Sequence, residues 1–312
     1  MTLQQLEYVV AVGRYGSFVE AAEKCFVTQP TLSMQVKKLE EELGIVLFDR
    51  SRQPVAPTEV GRQFLEQARA VLREQQRLLE VVKGAKGESG GDLRLAVIPT
   101  LAPYLLPIFV REFTTKHPRV NLIIREMTTQ QITQALRAEL IDVGLLATPL
   151  PEVDLNETHL FLEPFVGYLA KGHELWSKKA LKVDDLNPEH IWLLSEGHCM
   201  RNQVLNLCRE QPHTGDQQFV YESGSVETLK RLVDTGSGMT ILPWLATVGM
   251  SNKQVQQVRY FRSPEPVRQI SMVTHRSQLK RKLIELLANC IRQTIPTTLK
   301  RSIKQDIIPI EA

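Results

Sequence analysis

Apolar residues recur every three or four positions through residues 3–12, where Leu3, Leu6, Val9 and Val10 share one helical face before Gly13 and Gly16 mark a stop. Ser17 is a suitable N-cap for a second helix that carries Phe18, Ala21, Ala22 and Cys25 at helical spacing. After a short break, Thr28 or Gln29 with Pro30 in the first turn opens a third helix that runs to about Leu43. Leu32, Val36, Leu39 and Leu43 form its apolar face, leaving Gln29, Thr31, Ser33, Met34 and Lys37 to solvent. Two short helices joined by a tight turn make a helix-turn-helix. Residues 45–61 then read as a short β-wing, with Arg50 and Arg52 near a tip bounded by prolines. From Thr58 a long amphipathic helix carries Phe64, Leu65, Ala68, Val71, Leu72, Leu78, Leu79 and Val82 before a Gly/Lys stretch at 84–91. That stripe has nothing local to cover it, so pairing with a second copy is expected.

Past residue 91 the pattern changes to strands alternating with helices: strands at 93–98, 120–125 and 142–147, with helices to about 115 and 140 between them. A second set has strands at 165–170, 191–194, 218–222 and 239–242 and a helix near 226–235, followed by a strand at 269–274 and a helix through about 295. This predicts an α/β fold with a mainly parallel sheet, divided into two lobes around a cleft. The expected organisation is a DNA-binding head over 1–58, a linker and dimerisation helix with its hinge over 59–91, a two-lobed domain over 92–296 and a tail over 297–312. The tail lacks clear periodicity and is assigned no role.

Length adds little to this picture: 312 residues, 43% of them hydrophobic, accommodate two or three compact domains. The first sixty residues lack the pattern of a secretory signal, and no apolar run approaches the ~20 residues that span a bilayer. A cytoplasmic protein with no membrane partner is expected, which sets aside an exported two-lobed solute-binding protein. Charge is nearly silent. The net +3 is small, and residues 1–60 hold six Lys/Arg against eight Asp/Glu, so a nucleic-acid partner rests on pattern rather than on charge. The chain has no C-x-x-C motif, no Gly-rich phosphate loop and no metal-ligating grouping of its seven histidines, which argues against an enzyme, a cofactor or a metal. Four cysteines, Cys25, Cys199, Cys208 and Cys290, are too few for a disulfide scaffold, and in a reducing compartment paired cysteines point to redox sensing or catalysis.

The run S-F-x-E-A-A-E-K-C-F-V-T-Q-P-T-L-S-x-Q-V-K-K-L-E-E-E-L-G-I-V-L-F-D-R at 17–50, with T-E-V-G at 58–61, resembles the LysR-type transcriptional regulators. With G-S-G-M-T-I-L-P at 236–243 the resemblance extends to about residue 295. It implies an N-terminal all-α winged helix-turn-helix, a long linker helix and a periplasmic-binding-protein-like effector domain of two lobes. The implied partners are operator DNA, a second copy as dimer or dimer of dimers, and RNA polymerase. Gln29, Pro30, Thr31, Ser33, Met34 and Lys37 would then face the major groove, with Arg50 and Arg52 at the backbone. Phe64, Leu65, Ala68, Val71, Leu72 and Leu79 would form the dimer seam. Within the family the chain is most similar to the peroxide-sensing members, through E-G-H-C-M-R-N-Q-V-L-N-L-C at 196–208, I-P-T at 98–100, Thr129 and P-E-P-V-R at 264–268. That similarity implies a reversible Cys199–Cys208 disulfide controlling oxidative-stress genes, with Thr100, Thr129, His198, Arg201 and Arg268 around hydrogen peroxide.

A sensing cysteine needs a favoured thiolate and a partner thiol. Cys199 follows His198, precedes Arg201 and lies where a strand gives way to a helix, so helix-terminal N–H groups and neighbouring positive charge are expected to favour its anion. Val204, Leu207 and Cys208 fall at i, i+3 and i+4, placing Cys208 on a buried face. In a continuous helix nine residues mean ~13 Å of rise, whereas a disulfide needs Cα atoms about 4.4–6.8 Å apart. Pairing would therefore require the helix to unwind. Cys25 and Cys290 read as packing residues. Two alternatives stay open: a family member answering to a small organic effector, with Cys199 and Cys208 merely packed, and a thiol peroxidase carrying a DNA-binding domain. Thr100 and Thr129 serve equally well as helix N-caps.

Overall fold

The computed structural model describes residues 1–85, 90–151, 154–187, 191–208, 224–236, 238–300 and 305–310, and divides into two compact units, Met1–Glu88 and Ser89–Ala312.

In the first unit α1 (Leu3–Tyr15) starts from a Thr2–Gln5 capping box and ends at Gly16, whose φ of 61° is a left-handed conformation that glycine adopts without strain. The helix runs through Gly13 instead of stopping there. Gly13 serves packing: a Cβ at that position would stand 2.7 Å from the Leu65 side chain. Ser17 caps α2 (Phe18–Lys24) and Thr28 caps α3 (Gln29–Leu43). Strands β1 (Phe48–Asp49) and β2 (Ala56–Pro57) pair antiparallel as the wing. Val9, Val12, Ala21, Leu32, Val36, Leu39, Leu47 and Phe48 form the core of the head. Glu40 ties the wing to α3, since its carboxylate accepts from the N–H groups of Leu47 (2.7 Å) and Phe48 (3.3 Å) and pairs with Arg50 at 2.8 Å.

The long helix α4 (Glu59–Ala85) corrects the expectation for its stripe. Leu65 and Ala68 are buried, Leu65 within the head's own core, and Phe64 packs partly against that core. Val71, Leu78 and Leu79 remain exposed, the second at 70%. Hydrophobic spacing along a helix shows which face is apolar but not where along the axis a neighbour ends.

The second unit has two lobes. In the first, β3 (Gly91–Val97) pairs parallel with β4 (Val120–Glu126) and β5 (Val143–Thr148), with α5 (Ala102–Lys116) and α6 (Thr129–Arg137) as crossovers. Strand β6 (Leu155–Leu169) is 15 residues long and runs through both lobes. Its first half escaped the sequence reading because the exposed polar run 156–159 hides the strand. In the second lobe β7 (Ala180–Leu181), β8 (Ile191–Trp192), β9 (Met239–Pro243) and β10 (Val258–Phe261) extend the sheet around the far end of β6, beside α7 (Cys199–Cys208) and α8 (Val226–Asp234). A single turn, α9 (Asn252–Val255), precedes β10. β11 (Glu265–His275) returns antiparallel to both β5 and β6, so the sheet is mixed rather than mainly parallel. α10 (Arg281–Thr294) then covers the first lobe, and the tail, which showed no clear periodicity, contributes β12 (Gln305–Ile307), parallel to β11. The strand expected at 218–222 lies outside the described residues. Each lobe has its own hydrophobic core, and Tyr104 and Trp244 pack against both.

Candidate functional site

Helix α7 begins in one core and ends in the other. Cys199, its first residue, belongs to the core of the first lobe, whereas Met200, Val204, Leu207 and Cys208 belong to that of the second. Both sulfurs are reduced and both residues are buried, 9% and 7% exposed. Ten residues of unbroken helix hold them ~13 Å apart along the axis.

The surroundings of Cys199 differ from those expected of its sequence neighbours. Burial pushes its thiol pKa up, opposed by the Thr129 hydroxyl, then by the Arg268 charge, then by backbone N–H groups at the helix start. The opposing positive charge thus comes from β11. Arg201 instead donates to the Leu194 carbonyl at 3.0 Å, fastening the first turn of α7 to the preceding chain. His198 is half-buried, with a pKa lowered by desolvation, so at neutral pH it carries little charge.

Arg268 is fully buried, and each of its three guanidinium nitrogens is engaged. Its Nε donates to Glu163 Oε2 at 2.9 Å, Nη2 lies 2.8 Å from the same carboxylate, Nη1 donates to Thr100 Oγ1 at 2.9 Å, and Nη2 donates to the Thr100 carbonyl at 3.2 Å. Glu163, equally buried, also accepts from Leu245 N–H at 2.8 Å. Glu163 was missed in the sequence, although a lone acid in the apolar run 160–169 was the available signal. Thr100 is buried as the acceptor that orients Arg268. Thr129 does not cap α6, which Thr128 does; its Oγ1 is buried and has no hydrogen-bond partner among the described residues. An unsatisfied hydroxyl beside a thiol and a fixed guanidinium can orient a small polar molecule. Cys199, Thr129, Arg268 and Thr100 are therefore brought together, whereas Arg201 is turned to a structural task.

On the head, Gln29, Pro30, Thr31, Met34 and Lys37 are exposed along α3 and Ser33 is half-exposed. Thr31 is partly committed to the cap, its hydroxyl 2.8 Å from that of Thr28. On the wing, Arg52 is largely exposed and pairs with Asp49 at 3.0 Å, an exposed pair readily exchanged for a phosphate. Arg50 is held by Glu40 and lies over the Phe18 ring, so it braces the wing. Phe26, in the turn before α3, is 94% exposed with φ of 56°. Cys25 closes α2 and Cys290 is buried on α10, each with its thiol pKa raised first by burial, as packing residues would be. Among the described residues no group of side chains could hold a metal ion, and no helix is long and apolar enough to cross a membrane.

Residues 3–62 match the bacterial regulatory helix-turn-helix protein, lysR family, and residues 86–296 match the LysR substrate binding domain. Among curated proteins the chain is 33% identical to the hydrogen peroxide-inducible genes activator of Haemophilus influenzae, covering 96% of this chain and 99% of that protein. It is also 33% identical to the DNA-binding transcriptional dual regulator OxyR of Escherichia coli K12, over 98% and 100% of the two chains. Among solved structures it is similar to a cysteine-to-aspartate variant of full-length OxyR from Pseudomonas aeruginosa, with a TM-score of 0.78 and 35% identity over 95% of this chain and 99% of that one. An OxyR variant from Corynebacterium glutamicum with hydrogen peroxide bound has a TM-score of 0.60 and 29% identity, covering 94% of this chain and 92% of that one.

Proposed function

Because the chain belongs to the LysR family of DNA-binding transcription regulators, we propose that it senses hydrogen peroxide through Cys199 and Cys208 and switches oxidative-stress genes. The observation that carries this reading is that Cys199, acted on by the Thr129 hydroxyl and by the Arg268 charge, starts a helix whose other end holds a second thiol in a separate core. Peroxide held by the Thr129 hydroxyl would meet the thiolate that Arg268 favours. The anion attacks one peroxide oxygen, the O–O bond breaks and hydroxide leaves, taking up the proton the Cys199 thiol gave up to become water, and a sulfenic acid remains; the Cys208 thiolate then attacks the sulfenic sulfur, forms the disulfide and displaces hydroxide, which takes up the Cys208 proton as a second water. Thr100 would hold Arg268 in place. His198 and Arg201 would shape the loop and the helix start.

Oxidation becomes a signal because the bond cannot form on an intact α7. Cys199 must leave the first core and the helix between the sulfurs must open, which changes how the lobes pack. The proposed division of labour is a DNA-reading head over 1–58, a linker helix with its hinge over 59–91 whose exposed helical residues pair with a second copy, and a sensing domain over 92–296. Gln29, Pro30, Ser33, Met34 and Lys37 would face base edges and Arg52 the phosphates, on a dimer or a dimer of dimers that engages RNA polymerase from the cytoplasm.

The test is mass spectrometry of freshly oxidised protein. A Cys199–Cys208 linked peptide is expected in the wild type. In Cys208→Ser the same treatment should accumulate sulfenic or over-oxidised Cys199, and in Cys199→Ser the peroxide response should vanish. Both thiols remaining alkylatable after peroxide would refute the redox reading. The burial that raises the Cys199 pKa would then favour the second one, a regulator of the same family answering to a small organic effector.

A further inference from the structure

We propose that the C-terminal segment 305–310 is a redox-released clasp that holds α7 helical in the reduced protein and detaches when the disulfide forms. The inference rests on the Cys199–Cys208 reading above and gives a task to the tail, for which the sequence offered none.

The segment touches both sides of the switch. Along one side β12 pairs in parallel register with Glu265, Pro266 and Val267 of β11, and Ile308 N–H donates to the Val267 carbonyl at 2.9 Å. Arg268, the next residue of β11, supplies the positive charge that, after the Thr129 hydroxyl, favours the Cys199 thiolate. Along the other side the tail is gripped by α7: Gln203 Nε2 donates to the Ile308 carbonyl at 2.9 Å and Asn206 Nδ2 donates to the Pro309 carbonyl at 3.1 Å. Ile308 is buried in the same core as Met200, Val204, Leu207 and Cys208, and Ile310 in the core that contains Cys199. The tail thus crosses from one core to the other, as α7 does.

The grip depends on α7 being helical. Gln203 and Asn206 stand at i and i+3, on one face and ~4.5 Å apart along the axis, so together they reach the carbonyls of Ile308 and Pro309 just past the end of β12. In an unwound chain the same residues would stand ~10 Å apart. Gln203 is fully buried, and its Nε2 finds the tail carbonyl while its Oε1 has no partner among the described residues. A buried amide satisfied on one side only is costly to strand further, so the Gln203 bond holds the tail while α7 stays helical. Both gripping residues lie between the two cysteines. Any opening that brings Cys199 to Cys208 therefore takes the two donors away from Ile308 and Pro309. The oxidant is hydrogen peroxide, reduced to two waters as the two thiols become one disulfide, and the tail takes no chemical part.

Hydrogen–deuterium exchange on the full chain, reduced and peroxide-oxidised, tests the clasp, with disulfide formation scored in the same samples by mass spectrometry. The Ile308 amide should be protected in the reduced protein and lose protection by about tenfold or more in the disulfide form. Gln203→Met, which keeps the volume and removes the donor, should loosen the 305–310 amides in the reduced protein and speed disulfide formation. A disulfide accompanied by unchanged protection at 305–310 would overturn the clasp alone. Absence of the disulfide would overturn the clasp together with the redox reading on which it rests.

Discussion

Arg268→Met separates what the buried guanidinium does for stability from what it does for chemistry. The substitution removes every bond Arg268 makes to Glu163 and Thr100 and leaves the buried Glu163 carboxylate, among the described residues, with Leu245 N–H alone. Removing one member of a buried pair costs about 3–5 kcal/mol because the remaining charge stays desolvated. Domains of ordinary stability, roughly 5–15 kcal/mol, survive that loss with little to spare. Adding Glu163→Gln removes the stranded charge but keeps an acceptor for Leu245, so the double variant should regain most of the deficit, as paired neutral replacements of buried ions commonly do. The thiol does not benefit. Arg268 is the positive charge that opposes the burial of Cys199, and each pKa unit lost reduces the thiolate tenfold, equivalent to about 1.4 kcal/mol. Urea unfolding and stopped-flow oxidation by peroxide, run on the wild type and on the single and double variants, should show stability restored in the double variant while oxidation stays slower by about tenfold or more. A double variant that is stable and oxidises at the wild-type rate would refute the argument and leave Arg268 as a packing residue.

On the head, Gln29→Ala should weaken binding to the specific operator by about 1–3 kcal/mol and barely affect random DNA, while Arg52→Ala should weaken both and flatten the salt dependence, all measured by anisotropy titration. Leu79→Glu should yield monomers in sedimentation, because Leu79 is exposed on α4; Leu65→Ala should instead destabilise the head by about 2–5 kcal/mol in thermal melts, leaving self-association unaffected in the folded protein. Asp142 has its desolvation outweighed by bonds from Arg94 and Lys280, so its folded pKa lies below the ordinary 3.8. Its contribution is present above pH ~4 and is lost as pH falls through the lowered value, so Asp142→Asn should flatten the acid limb of a stability-versus-pH curve; an unchanged acid limb would contradict this.

Much of the head was legible because its signals are local. Ser17 and Thr28 cap the helices they precede, and Leu32, Val36 and Leu39 alternate with the exposed residues of α3. The alternation of β3, α5, β4, α6 and β5 was equally plain. What the sequence obscured depends on contacts between distant segments. Leu65 looks like a dimer residue until α1, opened at Gly13, is laid against it. In sequence Cys199 has His198 and Arg201 beside it, but the charge arrives from β11, far along the chain. The tail, with so few residues in β12, becomes a strand only because β11 offers an edge. Glu163 and Gln203, polar residues at fully buried positions, were the sparse hints that such distant partners exist.

The union of α4 with the head has a mechanical consequence. A Cβ on Gly13 would strike Leu65, and one on Gly61 would lie 2.0 Å from the Leu47 carbonyl, so the base of the long helix is wedged against α1 and the wing with no joint between them. Twenty-seven residues make a rod ~40 Å long. A tilt of ~5° about its far end would carry the reading helix ~3.5 Å, close to the spacing of one base pair at about 3.4 Å. Leverage of that kind lets a small rotation decide which base edges Gln29 meets, and the head can remain rigid throughout.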